Sequence, residues 1–108
     1  MKFSPAALTP ANSDARRDLY EFEYPVCKLV VAKTHCVLGQ HYHKKKDELF
    51  LLISGECFAT IALNAFPMAR LEPLPVPACI PHTFALSPGS VLLCFCTAPY
   101  DPADDYRV

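Results

Sequence analysis

Several things are missing from this sequence, and each absence narrows the reading. No apolar run approaches the roughly 20 residues a membrane-spanning helix needs, so no membrane partner is expected. The opening residues Met1-Lys2-Phe3-Ser4-Pro5 lack the apolar core of an export signal, and a cytoplasmic location is the expectation. Charge of one sign is not in excess: the formal net charge is −1, which argues against a nucleic-acid partner. Six cysteines are present (Cys27, Cys36, Cys57, Cys79, Cys94, Cys96), but no two form a C-x-x-C pair. Cys94 and Cys96 share a strand face, a poor spacing for a zinc finger, and five of the six sit among apolar residues. They read as small buried thiols in a reducing compartment. Finally, there is no long amphipathic helical pattern and no internal repeat.

What remains is a chain of short β-like segments. Its 108 residues suffice for one domain, and 52% are hydrophobic, enough for a modest core. Residues 1–18 read as an N-terminal arm, with one helical turn over Asp14 to Tyr20 capped by Ser13 or Asp14. Residues 19–108 read as the folded domain. Strands are expected over Tyr20–Tyr24, Cys27–Thr34, Val37–His43, Leu49–Ile53, Glu56–Asn64, Ile80–Leu86 and Val91–Thr97. Gly39 marks a bend or bulge. The nearly all-apolar Leu49–Ile53 reads as buried on both faces. Ser54-Gly55 suits a tight hairpin turn. The proline-rich 65–77 stretch reads as a loop with a short strand around Met68 to Leu71, and 98–108 as an acidic tail. Many short strands with closely spaced turns are the signature of an all-β sandwich or barrel.

The chemistry concentrates in His41-Tyr42-His43-Lys44-Lys45-Lys46-Asp47-Glu48. Alternate side chains of a strand share a face, so His41 and His43 emerge together with Cα atoms about 7 Å apart. Two imidazole nitrogens so placed can converge on one ion. Glu48 opens the next strand and lies beside them if that strand pairs back, and His82 is the candidate fourth ligand. Three imidazoles and one carboxylate suit Fe, Mn, Ni, Cu or Zn as a divalent ion. Phe50, Leu52 and Phe84 follow the ligand register and are expected to line the pocket. His35 stands an even number of residues before His41 and is expected on the same face. Tyr42 should face away, and Lys44-Lys45-Lys46 should be a solvated turn.

The pattern His41-x-His43-x4-Glu48-x6-Gly55, followed by Pro77-x4-His82, resembles the two motifs of the cupin superfamily. The segment Pro81-His82-Thr83-Phe84 also looks like that of many small cupins. The resemblance spans roughly residues 27–97. It implies a small jelly-roll β-barrel holding a divalent metal on His41, His43, Glu48 and His82. The chain departs from the family pattern where glycine is usual, with His35, Leu71 and Cys79 at those positions. Gly39-Gln40-His41-Tyr42-His43-Lys44 further resembles sugar-modifying cupins of polysaccharide biosynthesis.

Three functions are compatible with these residues. One is metal-dependent chemistry of dioxygenase or isomerase type on an oxygen-rich small molecule. Another is a metal-free sugar-nucleotide isomerase or epimerase with His41 or His43 as general base. The third is non-catalytic binding of a small ligand. Leu49, Leu51 and Ile53 would face away from the cavity, and a homodimer would cover them.

Overall fold

Alternation of inward apolar and outward residues builds two antiparallel sheets that face each other. The structure, a computed structural model, describes residues 10–23 and 26–107. The strands are β1 (Asn12–Ser13), β2 (Arg17–Glu23), β3 (Val26–Ala32), β4 (Cys36–Tyr42), β5 (Glu48–Ser54), β6 (Cys57–Ile61), β7 (Asn64–Pro67), β8 (Leu74–Val76), β9 (His82–Leu86), β10 (Val91–Cys96) and β11 (Tyr106–Arg107). One sheet runs β1-β2-β3-β10-β5-β8 and the other β11-β4-β9-β6-β7. The chain crosses repeatedly between the two sheets, which is the jelly-roll arrangement. Among the described residues no helix is long and apolar enough to cross a membrane.

The core is the seam between the sheets. Val30, Phe50, Leu52 and Leu92 from one sheet meet Cys36, Ala59, Phe84 and Leu86 from the other. Each large apolar side chain buried here contributes roughly 1.5–3 kcal/mol. In β5 the burial alternates, with Glu48, Phe50 and Leu52 inside and Leu49, Leu51 and Ile53 less covered. That corrects the expectation that this strand is buried on both faces.

Most of the expected strands form, with shifted ends. The helical turn expected over Asp14 to Tyr20 is instead a hairpin turn. The Asp14 carboxylate accepts from the main-chain N–H groups of Arg16 (2.7 Å) and Arg17 (3.0 Å), closing an Asx-type turn between β1 and β2. Thus β1 and the start of β2 join the sheet ahead of residue 19, while residues 1–9 of the expected arm lie outside the described residues. The return strand expected over Glu56–Asn64 breaks at Ala62 and Leu63 into a β6–β7 hairpin. Ser54-Gly55 does turn the chain, but it carries it from one sheet to the other. No strand forms over Met68 to Leu71 beyond an isolated bridge from Arg70 to Leu52.

Two residues in this region are left-handed. Leu71 has φ +61° and Cys79 has φ +71°. These are two of the positions where the motifs the chain resembles have glycine, and each residue here takes a left-handed backbone that glycine adopts without strain. Both residues also hold main-chain bonds, from Leu71 N–H to the Leu52 carbonyl (2.8 Å) and from Cys79 N–H to the His43 carbonyl (2.5 Å).

Candidate metal centre

The site begins with a bulge in β4. The β4–β9 register slips between Gly39 and His41, with Gln40 as the extra residue at φ +60° and Gly39 at φ +90°. Before the slip the inward residues are Cys36 and Leu38; after it they are His41 and His43. A Cβ on Gly39 would stand 2.6 Å from the His82 carbonyl oxygen, so only glycine permits the close approach of β4 to β9. The bulge also disposes of the expectation for His35. An even spacing from His41 no longer means the same face, and His35 lies before β4 starts. It is exposed, in a separate groove with Gly55, Glu56 and Phe58.

The bulge brings three imidazoles together. Ring centroids of His41 and His43 are 4.5 Å apart, and those of His41 and His82 are 4.8 Å apart. Glu48 is expected beside the histidines if its strand pairs back on theirs. In the structure β5 belongs to the opposite sheet, and Glu48 meets the histidines across the barrel interior. Its Oε1 is 3.3 Å from Nε2 of both His43 and His82. All three side chains are buried.

The other ring nitrogens determine what those contacts mean. His43 Nδ1 is 2.6 Å from the Asp104 carbonyl, and His82 Nδ1 is 3.0 Å from the Ile80 carbonyl. A carbonyl can only accept, so each Nδ1 carries the hydrogen, and in the neutral ring Nε2 is a bare lone pair. Two such lone pairs and a carboxylate oxygen then face one another. Glu48 Oε1 and both Nε2 atoms have no hydrogen-bond partner among the described residues. Buried acceptors converging without a donor are strongly disfavoured unless a cation lies between them. A divalent ion satisfies all three, and the Nδ1–carbonyl bonds are the outer contacts that orient metal-bound imidazoles.

Titration behaviour agrees with a neutral, ligand-ready set. Burial, with the neighbouring His82 and His43, holds His41 down at about 4, although Asp105 and Glu48 pull the other way. Burial likewise lowers His82. For Glu48, burial pushes the carboxyl up, but the Cys94 hydrogen bond, Lys46 and the imidazoles outweigh it and leave it below its ordinary value. The pocket therefore sets one anionic oxygen near the neutral His41 and His82 rings.

A small cavity of about 100 Å³ adjoins these groups, walled in part by His41, Glu48, His82, Phe50 and Phe84. Phe50 and Phe84 both line it, with ring centroids 4.2 Å apart. Leu52 does not reach the cavity wall and is part of the core instead. Tyr42 faces away and stacks on Tyr106 at 5.1 Å. The lysine run is only partly a solvated turn. Lys44 and Lys45 are exposed, but Lys46 is buried, its ammonium 6.0 Å from the Tyr100 ring centre.

Several contributors escaped the sequence reading. Cys94 donates its S–H to Glu48 Oε2 at 3.2 Å and lies 3.6 Å from Cys96 Sγ. That contact holds the Cys96 thiol down at about 7 against its burial, with Lys28 and Lys46 adding to the effect. The same contact and burial raise Cys94. All six cysteines are free, and Cys79 is exposed. Asp104 and Asp105, in the stretch read as an acidic tail, lie against two of the three imidazoles.

No protein-family model matches this chain, and no curated protein matches it. Solved structures do. Capsular polysaccharide assembling protein CapF from Staphylococcus aureus superposes with TM-score 0.78 at 21% identity, over 90% of this chain and 31% of that one. KdgF from Halomonas sp. gives TM-score 0.72 at 14% identity, over 94% of both chains. The fold is that of the cupins. A 3,4-ketoisomerase from Helicobacter canadensis, with TM-score 0.68 at 18% identity, covers 76% of this chain and 67% of its own. The present chain spans about a third of the length of the CapF structures it matches.

Proposed function

We propose that this cupin is a metal-dependent enzyme of isomerase type acting on an oxygen-rich, anionic small molecule of carbohydrate character. The observation that carries the reading is the meeting of two oriented imidazole lone pairs and one carboxylate oxygen at 3.3 Å with no donor among them. His43, His82 and Glu48, in mutual contact, would hold the ion, and His41, whose ligand atom groups with the other two imidazoles while Glu48 also groups with Cys94 and Cys96, would complete an N3O set that suits Fe, Mn, Ni, Cu or Zn. When bound, such an ion supplies Lewis acidity toward a carbonyl or hydroxyl oxygen.

The chain's own residues supply the rest. Phe50 and Phe84 keep the inner cavity apolar and exclude water. That cavity is too small for a sugar-sized molecule, but it shares Lys28, Leu38, Gly39 and His41 with an outer groove of about 700 Å³. Arg16, Arg17, Lys28 and Arg107 line the groove against Glu21 and Asp105 as its acids. The excess of positive charge favours a substrate bearing a carboxylate or phosphate, oriented with one oxygenated carbon toward the histidines. The likeness to CapF, a capsular polysaccharide assembling protein, supports carbohydrate chemistry.

A metal-free reading, as a sugar-nucleotide isomerase or epimerase, has one observation in its favour. His41 Nδ1 lies 3.0 Å from Asp105 Oδ1, so a carboxylate stands beside one imidazole at ion-pair distance, without hydrogen-bond geometry. Elemental analysis of protein purified without chelator or added metal separates the two, repeated on His41→Ala and His82→Ala. The metal reading expects about one ion per chain in the parent and loss in both folded variants. Metal content indifferent to both substitutions ends it. Turnover that survives chelation but not His41→Ala would establish the metal-free route, dioxygen uptake with iron would move the chemistry to oxygenation, and tight ligand retention without turnover would make this a binding cupin.

We further propose a homodimer through the outer face of the larger sheet. Leu29, Leu51 and Leu93 lie opposite one another across β3, β10 and β5, and Phe95 lies opposite Leu49. Sedimentation as a monomer at micromolar concentration would refute it.

A further inference from the structure

The segment Asp101–Arg107 reaches the site from outside the two cupin motifs. It starts with a 3-10 turn, Pro102–Asp104, in which the Asp101 carboxylate accepts from Ala103 N–H at 2.9 Å. It ends in β11, which pairs Tyr106 with Tyr42 and Arg107 with His41 on the free edge of β4. Arg107 also donates to the Gly39 carbonyl at 3.0 Å, inside the bulge that turns His41 inward.

Between these anchors lie two acids. The buried Asp104 uses both carboxylate oxygens to accept from the main-chain N–H groups of Lys44 (2.9 Å) and Lys45 (3.0 Å). This fixes its own carbonyl against His43 Nδ1 at 2.6 Å. Asp105 brings Oδ1 to within 3.0 Å of His41 Nδ1, an ion-pair distance at which neither atom makes a hydrogen bond. The third imidazole, His82, is held by the Ile80 carbonyl two residues away and does not involve this segment.

We propose that Asp101–Arg107 is a clasp that presets the metal centre, with Asp104 as the positioning residue for His43 and Asp105 for His41. The inference rests on the metal reading above. Asp104 fixes the rotation of the His43 ring through a hydrogen bond, and Asp105 packs an oxygen against the Nδ1 edge of the His41 ring, so that both rings are placed before an ion arrives. Outer contacts of this kind change metal affinity by about 10–100-fold when removed. The clasp makes two of the four ligands depend on residues some sixty positions distant in the chain.

The test measures Co(II) and Zn(II) affinity of the full chain by competition with a chelating dye, together with the visible spectrum of the Co(II) form. Asp105→Ala and Asp104→Ala are expected to lose about 10–100-fold in affinity and to shift the Co(II) bands, while circular dichroism still reports the folded barrel. Asp105→Asn, which keeps an oxygen acceptor facing His41, is expected to recover most of the affinity. Asp105 caps no main-chain group, so its variants decide the matter even if Asp104→Ala fails to fold. Parent-like affinity and spectrum in Asp105→Ala overturn the clasp alone. A parent protein that takes up neither ion overturns the metal reading and the clasp with it.

Discussion

Replacing Leu71 and Cys79 by glycine should stabilise this protein. Both residues sit in the left-handed region, at φ +61° and +71°. For a residue with a Cβ that conformation costs about 1–2 kcal/mol. Glycine removes the cost but adds about 0.5–1 kcal/mol of unfolded-chain entropy, so the net gain is roughly 0.5–1 kcal/mol per site. Little burial is lost with the side chains, since Leu71 is 65% exposed and Cys79 is exposed. The main-chain bonds to Leu52 and His43 survive, because glycine retains its N–H. The two sites share no partner, so their effects should add. For a chain of this length the double variant should melt roughly 5–10 °C higher. Urea unfolding should show a raised midpoint with an unchanged slope, the mark of altered stability rather than altered compactness. Cys79→Ala is the control, because it keeps a Cβ at the same φ and should gain nothing from relieved strain. If both glycine variants unfold at or below the parent midpoint, the argument from left-handed strain is wrong.

The reverse substitution belongs at Gly39. Gly39→Ala places a methyl against the His82 carbonyl at a positive φ and should cost roughly 2–3 kcal/mol, read by urea unfolding, and weaken metal binding with it. Acid should destabilise the metal-free protein by a route that can be signed. His41, held at about 4, and His82, also lowered, bind fewer protons when folded than the ordinary imidazole of the unfolded chain, near 6.5. Their contribution is complete above about pH 6.5 and is lost as pH falls toward 4, so the melting temperature should drop through that window. A flat profile from pH 7 to 4 would count against buried neutral imidazoles. Thiol reagents should modify the exposed Cys79 within the native state, whereas Cys57, buried and pushed up to about 12, should react only on unfolding. Mass mapping that finds Cys57 labelled alongside Cys79 would contradict the packing described.

Local pattern carried most of what could be read without coordinates. The ligand spacing in His41-x-His43-x4-Glu48 is a one-dimensional signal, and period-two alternation marked most of the strands. The failures occur where three-dimensional pairing overrides local parity. Counting in twos from His41 gave the wrong face for His35, because one extra residue at Gln40 resets the alternation. Gly39 was a visible hint of a bulge, but nothing in the sequence says on which side the count changes. Glu48 reaches the histidines from the opposite sheet, which no adjacent-strand argument could supply. The tail was misread for a different reason. Two-residue β11 is too short for periodicity, and the contacts of Asp104 and Asp105 span sixty residues or more. The signal available there was Asp101-Pro102, a cap followed by a proline at the first helical position, which marks an ordered turn in what composition reads as loop.

The division of ligands between sheets makes metal binding a cross-link, and this gives the metal reading a test that requires no substrate. His41, His43 and His82 belong to the β11-β4-β9-β6-β7 sheet or its immediate continuation, whereas Glu48 opens β5 in the other. An ion held by all four ties the two sheets at one end of the seam. Any ligand that binds only the folded state stabilises it by RT ln(1 + [L]/Kd), about 2.7 kcal/mol at a hundredfold excess over Kd. For a domain of this size that corresponds to a rise of roughly 10–20 °C in melting temperature. Glu48→Gln should remove most of the increment while leaving the metal-free melting point the same or higher. The neutral amide can turn its NH2 toward the two imidazole nitrogens and supply the donor that they lack. His82→Ala should also remove the increment, with no such compensation. If zinc or manganese raises the melting temperature of Glu48→Gln and His82→Ala as much as that of the parent, the ion is held elsewhere on the surface and the four side chains do not form its site.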